Sequence, residues 1–262
     1  MSVKQRPLSY SREITATVLD QVEVGTNVYI MTFEAPEMAK TAKPGQFVLV
    51  DCGPQHFLRR PFGVYDCDPG AGWVQIGYIV VGEGTKDLTK LKTGDSVGVT
   101  GALGQGFKIH EDKDAILVGG GTGIFPLHFL AKTLTGYSTM IAGFRSPDHC
   151  FALNALGEYS TRMILCLEAG EADVQGTAID GLKKLLDETP GEKAVYICGP
   201  RGMMAAGSNL ALQYTDDVQV SLEERMVCGV GYCSTCTTML TEGRTARVCY
   251  DGPVFDAREV QW

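Results

Sequence analysis

Cys228, Cys233, Cys236 and Cys249 are the residues of this chain best suited by type and spacing to chemistry. They fall in Cys228-Gly-Val-Gly-Tyr-Cys233-Ser-Thr-Cys236, and Cys249 follows. The pattern C-x4-C-x2-C…C is that of plant-type [2Fe–2S] sites. Four thiolates can hold two irons. Gly229 and Gly231 suit a loop wrapped around a compact anionic group, because glycine reaches backbone angles that turn amides inward. A structural zinc site is the competing reading. Zinc usually takes two C-x2-C pairs or mixes cysteine with histidine. Only one C-x2-C pair stands here, and the last cysteine is single. The spacing favours the cluster.

A second candidate is Gly119-Gly120-Gly121-Thr122-Gly123-Ile-Phe-Pro126, which follows the apolar run Ala115–Val118. A glycine-rich turn between a strand and a helix lets backbone amides approach a pyrophosphate at a helix N-terminus. Pro126 fits the first helical turn. Proline stands where the third glycine of the strict dinucleotide fingerprint would be, so an ordinary tight connection is the alternative. A third candidate is Leu58-Arg59-Arg60-Pro61-Phe62-Gly63-Val64-Tyr65, in which an arginine fork could hold a phosphate or merely end a solvated strand. Gly84 and Thr85, opening a short helix, offer amides and a hydroxyl to a second phosphate or a simple cap. The four histidines, His56, His110, His128 and His149, read as surface or helix residues, and no residue is singled out as a catalytic acid or base.

These residues need elements to position them. The 262 residues, 44% hydrophobic, can bury a sizeable core in one to three domains. A net charge of −8 excludes a general nucleic-acid binder, which needs a basic surplus. No apolar run approaches the roughly 20 residues that span a bilayer, and the N-terminus lacks an apolar signal core, so a cytoplasmic protein is expected. Cys52, Cys67, Cys150, Cys166 and Cys198 lie mostly in apolar, strand-like contexts and read as small buried side chains.

Residues 10 to about 102 read as β structure. Ile14–Val18, Asn27–Phe33, Gln46–Val50 and Trp73–Val80 are β-branched and aromatic, with turn signals between them, and predict a closed antiparallel barrel. One short helix is expected over Lys86–Leu91. From about residue 112 the runs Ala115–Val118, Thr139–Ala142, Met163–Leu167, Ala194–Cys198 and Val218–Leu222 alternate with expected helices over Pro126–Leu134, Phe151–Tyr159, Thr177–Asp187 and Gly202–Tyr214. That alternation predicts a parallel sheet covered on both faces. The expected division is a barrel at 1–103, an α/β domain at 104–222 and a cysteine module at 223–262.

The order of these motifs resembles the ferredoxin–NADP⁺ reductase superfamily. The C-terminal stretch from Glu224 through the cysteines to Asp251-Gly-Pro-Val-Phe255 is similar to the electron-transfer subunits of B-type dihydroorotate dehydrogenases. The resemblance covers nearly the whole chain. It implies an FAD-binding barrel, with Arg60, Pro61, Phe62 and Gly63 as one flavin contact. Gly77, Tyr78 and Ile79 form a second, and Gly84 with Thr85 a third. It implies a nicotinamide nucleotide site at Gly119, Gly120, Gly121, Thr122 and Gly123 together with Cys198, Gly199 and Pro200. One departure is Gly63, where relatives commonly carry serine.

By this resemblance the chain passes electrons between a partner's FMN and NAD⁺ through the [2Fe–2S] cluster and FAD. Dihydroorotate would be oxidised on a separate FMN-containing subunit, in a heterotetramer of two plus two. Two rivals stand beside it: a reductase subunit of a hydrogenase or transhydrogenase complex, and a zinc-stabilised, non-catalytic interaction module. At the second α/β strand's end, Arg145 and Ser146 could hold a 2′-phosphate, whereas the resemblance points to NAD.

Overall fold

The structure is a computed structural model that describes residues 13–262. Residues 10–12, at the start of the expected β region, lie outside the described residues. Six strands close the barrel: β1 (Glu13–Gly25), β2 (Val28–Glu34), β3 (Phe47–Val50), β4 (Arg60–Asp68), β5 (Trp73–Ile79) and β6 (Ser96–Leu103). They are joined in the order β1-β2-β5-β4-β3-β6, every pair antiparallel. Val18, Met31, Phe33, Val48, Val64, Ile76 and Val99 fill the interior. A buried side chain of this size is worth about 1.5–3 kcal/mol, and side chains alone fill so small a barrel.

The second sheet has β7 (Asp114–Gly120), β8 (Ser138–Phe144), β9 (Arg162–Leu167), the two-residue β10 (Val174–Gln175), β11 (Lys193–Cys198) and β12 (Val218–Ser221). The order is β10-β9-β8-β7-β11-β12, all parallel. Burial on both faces explains why β7, β8 and β11 read as continuous apolar runs. In the last forty residues β13 (Thr237–Met239) and β14 (Thr245–Arg247) form a small ribbon. The strand β15 (Val254–Asp256) then pairs antiparallel with β12. The cysteine segment is thereby stitched onto the α/β sheet, and a bridge from Pro253 to Gln105 ties it to the chain leaving the barrel.

Helix positions depart from expectation for local reasons. The short helix is Glu83–Leu88, not Lys86–Leu91. The Thr85 hydroxyl accepts from the Val81 and Gly82 amides at 3.0 and 3.2 Å, which sets the helix start earlier. The helix expected over Phe151–Tyr159 is only Leu153–Glu158. Phe151 packs instead against Phe125 and Phe144, with ring centroids 5.3 and 5.2 Å away. The glycine turn winds as a 3₁₀ segment, Gly121–Gly123, so its helix begins at Ile124 and runs to Thr133. The other two expected helices are Ala178–Glu188 and Arg201–Ala211, and two short ones, Pro36–Ala39 and Val248–Asp251, stand where none was expected. Among the described residues no helix is long and apolar enough to cross a membrane.

Candidate functional site: two adjoining cavities and a cysteine loop

A cavity of about 500 Å³ lies between the barrel and the α/β domain. The barrel contributes Arg60, Pro61, Phe62 and Gly63 from β4 and Gly77, Tyr78 and Ile79 from β5, together with Thr85. The α/β side contributes Thr122, Phe125, Pro126 and Cys198. The expected flavin residues thus converge on one cavity, except Gly84, which lies beneath Arg60. A Cβ at Gly84 would stand 3.2 Å from Arg60 Nη2, so the missing side chain lets the guanidinium rest on the first helical turn. The Arg60 Nη1 donates to the Leu58 carbonyl. A guanidinium beside a helix start, facing a largely apolar cavity, is a donor set that fits a flavin dinucleotide.

A larger cavity, about 1000 Å³, runs along the carboxyl ends of β7, β8, β9 and β11. Gly120, Gly121 and Thr122 line it on one side, Gly199, Pro200 and Arg201 on another, and Gly143, Phe144, Arg145, Asp148 and Glu168 at the far end. Ligands of open α/β sheets sit at such strand ends. Of the expected nucleotide residues, Gly119 and Gly123 do not reach the wall. A Cβ on Gly123 would collide with the Cys198 carbonyl, and one on Gly119 with Ile124 at 2.6 Å. Gly119 lets the helix start pack on its own strand and Gly123 lets the turn press against β11, and Cys198 faces the flavin cavity instead. Ser146 also departs from expectation. It is not part of the cavity wall, and its hydroxyl is paired with His149 Nδ1 at 2.8 Å. The Arg145–Ser146 phosphate clamp is therefore not assembled.

The two cavities share Ile79, Thr122, Leu222, Glu223 and Glu224. Glu223 was not singled out from the sequence. It keeps an exposed edge on the groove yet is hemmed in by protein on most sides, and that burial holds its carboxyl above the ordinary glutamate range. Only the folded arrangement signals it, since a lone glutamate after a strand is ordinary. Arg201 binds Glu224 at 3.5 Å and donates to the Gln261 carbonyl at 2.9 Å, tying the shared wall to the nucleotide side.

The wall leads directly into the cysteine loop. There the amides of Tyr232 and Cys233 donate to Cys228 Sγ at 3.3 and 3.4 Å. The Gly231 amide donates to Cys249 Sγ at 3.1 Å, and the Cys249 amide to Cys236 Sγ at 3.4 Å. Gly229 and Gly231 have φ of +67° and +80°, the left-handed backbone that aims these donors. The Cys233 thiol interacts with Cys228, and the Cys249 thiol with Cys236 and, more weakly, with Cys228. Hydrogen bonds from Thr235 and then Cys228 hold the exposed Cys233 thiol down to about 6. Burial, then the Cys236 thiol, pushes Cys249 up to about 12. Four thiols wrapped in amides at the C-x4-C-x2-C…C spacing fit a two-iron cluster, in which each iron takes two cysteines.

The other cysteines are of a different kind. Cys52, Cys67, Cys166 and Cys198 are buried, and burial raises the first three thiols to about 11. They are inert packing groups.

Comparison with known proteins agrees with this geometry. Residues 223–261 match the family described as the iron-sulfur cluster binding domain of dihydroorotate dehydrogenase B. The dihydroorotate dehydrogenase B (NAD(+)), electron transfer subunit, of Caldanaerobacter subterraneus subsp. tengcongensis is 38% identical over 253 residues, covering 95% of this chain and 98% of the relative. The subunit of the same name from Fusobacterium nucleatum subsp. nucleatum is 35% identical, covering 94% and 97%. Among solved structures, an NADH-dependent reduced ferredoxin-NADP oxidoreductase superposes with a TM-score of 0.85 at 29% identity, covering 95% of this chain and 90% of its own. A ferredoxin NADP+ reductase from Neisseria gonorrhoeae shares the fold, with a TM-score of 0.63 at 19% identity, covering 77% and 91%. With that identity sustained over nearly the full length of both chains, this chain belongs to the family of dihydroorotate dehydrogenase B electron transfer subunits.

Proposed function

We propose that this chain passes electrons between a partner's FMN and NAD⁺ during the oxidation of dihydroorotate to orotate, a step of pyrimidine biosynthesis. The observation that carries the reading is the run Leu222–Met226. Its residues line the two cavities and the chain reaches Cys228 two residues later, so one short stretch of backbone links all three sites. When bound, NAD(H), FAD and the [2Fe–2S] cluster supply hydride exchange, the change from two electrons to one, and single-electron transfer.

The chain's own residues bind and orient. Arg60 holds a flavin phosphate, with Gly84 and Thr85 beside it. Gly120, Gly121 and Thr122 offer amides to the nucleotide pyrophosphate, and Gly199 and Pro200 face them across the groove. Ile79 and Leu222, at the shared wall, exclude water where the flavin and nicotinamide meet. The cluster is held by Cys228, Cys233, Cys236 and Cys249. The segments 1–103, 104–222 and 223–262 accordingly carry flavin, nucleotide and cluster.

Substrate oxidation belongs to a separate FMN-containing catalytic subunit, joined to this chain in a cytoplasmic heterotetramer of two plus two. Its docking face surrounds the cluster loop. Phe57 is 98% exposed and Tyr232 is 92% exposed, both unusual for large aromatic side chains. Phe57 and Val227 border a surface cleft beside Cys228, and Tyr232 precedes Cys233. A catalytic partner that covers these side chains brings its flavin close to the cluster. The test is anaerobic mixing of the purified holoprotein with each reductant. NADH should bleach flavin and cluster, and dihydroorotate should do nothing until the catalytic subunit is added. Oxidation of dihydroorotate by this chain alone would overturn the division of labour.

A further inference from the structure

Three charged side chains line the far end of the nucleotide cavity: Arg145, Asp148 and Glu168. Glu168 follows β9, the strand two places from the glycine turn. At strand spacings near 4.8 Å that is a lateral offset of roughly 10 Å. The backbone there is pinned. The Glu168 amide donates to the Phe144 carbonyl at 3.2 Å and the Ala169 amide to the Arg145 carbonyl at 2.9 Å. Gly170 lies against Pro147. The Glu168 carboxylate itself, among the described residues, has no hydrogen-bond or ion-pair partner and is exposed on the cavity wall. An ionised carboxylate only accepts hydrogen bonds. It is suited to a sugar hydroxyl and repels a phosphate.

We infer that Glu168 is the specificity-determining residue of the nucleotide site, accepting from the adenosine ribose 2′-hydroxyl of NAD(H) and rejecting the 2′-phosphate of NADP(H). Two acids against the single Arg145 leave this end of the cavity net negative. Ser146, the side chain that could have completed a phosphate clamp with Arg145, is turned to His149. Asp148 sits one strand nearer the glycine turn, in the short turn Pro147–His149 after β8, and contributes charge rather than the ribose contact.

This inference rests on the nucleotide reading above, and calorimetric titration of NAD⁺ and NADP⁺ onto the flavin- and cluster-loaded protein separates the two. The unaltered protein should bind NAD⁺ more tightly. Glu168→Gln should narrow the ratio of affinities by about tenfold or more, the range for a hydrogen bond to a charged group, while Asp148→Asn, which removes charge but no ribose contact, narrows it clearly less than Glu168→Gln does. Glu168 is exposed, and an unchanged thermal transition will verify that Glu168→Gln is folded. An unchanged ratio in Glu168→Gln, or its collapse in Asp148→Asn, would overturn the assignment to Glu168 and leave the nucleotide site standing. Failure of the unaltered protein to bind either nucleotide would overturn both.

Discussion

Lys132, on the helix that follows the glycine turn, donates to both carboxylate oxygens of Asp66 on β4, at 2.8 and 2.9 Å. One residue stands on the barrel and the other on a helix beside the parallel sheet. Six residues before Asp66 on the same strand stands Arg60, and the helix that carries Lys132 also carries Phe125 and Pro126 into the flavin cavity. The pair therefore fixes the nucleotide helix on the flavin strand. His128 adds to it, with Nε2 3.8 Å from Asp66 and its ring stacked on Tyr65 at 4.2 Å.

Breaking this pair should cost stability. Asp66 is buried, while the Lys132 side chain is 30% exposed. The loss should fall somewhat below the roughly 3–5 kcal/mol of a fully buried pair, at about 2–3 kcal/mol. Lys132→Ala should show it as a lower urea midpoint in holoprotein. Lys132→Met, which keeps the stem, should lose nearly as much because the Asp66 charge is left uncompensated. A midpoint unchanged in both would refute the clamp.

The same pair sets a pH dependence. Burial raises the Asp66 carboxyl, but the nearby His128 ring and the hydrogen bonds from Lys132 outweigh it, so the folded value is lowered. Its stabilisation is present above the unfolded pKa near 4 and is lost as pH falls through the folded value. For Lys132 burial acts downward, yet Asp66 leaves the folded value raised. That contribution is present below about 10.4 and fades as pH rises through the folded value. Stability measured against Asp66→Asn should therefore converge at both extremes, with its widest gap between about pH 5 and 9.

Much of this arrangement was legible in the chain. Several barrel strands alternate, the α/β strands are continuous apolar runs, and the cysteine spacing is distinctive, so each announces itself within a few residues. The Asp66–Lys132 pair, Glu168 and Glu223 do not. Their roles depend on side chains brought together from distant segments, and an isolated acid after a strand carries no local signal. The pairing of β15 with β12 was hidden for the same reason: three residues in a loop-rich segment are too short for periodicity to declare. Helix starts failed where a side chain, Thr85, or a packed ring, Phe151, set the boundary.

The flavin site yields a prediction with a built-in control. Arg60→Ala removes a charge-assisted contact worth roughly 1.5–3 kcal/mol, so FAD should dissociate about ten- to a hundredfold more readily. Thr85→Ala also removes a helix cap worth about 1 kcal/mol, so it should lower both flavin occupancy and thermal stability. Flavin-to-protein ratios after dialysis measure the first, and a thermal melt the second. Full flavin retention in both variants would mean that this cavity is not the flavin site.

Cluster content should depend on four cysteines and no others. Serine at Cys228, Cys233, Cys236 or Cys249 should abolish or sharply reduce bound iron and acid-labile sulfide, because a hydroxyl is a poor substitute for an iron-bound thiolate. Serine at the buried Cys52 should leave both unchanged, since that thiol is a packing group. Stoichiometric zinc without sulfide in the unaltered protein would contradict the assignment.

The docking face can be tested apart from the cofactors. The Tyr232 backbone amide donates to Cys228 Sγ, so Tyr232→Ala leaves that bond in place. Phe57, in the barrel loop before Arg59, also has a freely exposed ring. Buried aromatic anchors at an interface commonly carry about 2 kcal/mol or more, roughly thirtyfold in affinity. Each alanine variant should keep its visible absorption and its NADH-driven reduction of artificial dyes. Each should bind the FMN-containing catalytic subunit about thirtyfold more weakly in sedimentation, and lose dihydroorotate-to-NAD⁺ electron transfer at low protein concentration. High concentration should restore that transfer, because the defect lies in association. Variants that assemble normally would show that the partner docks elsewhere and that these two rings are exposed for another reason.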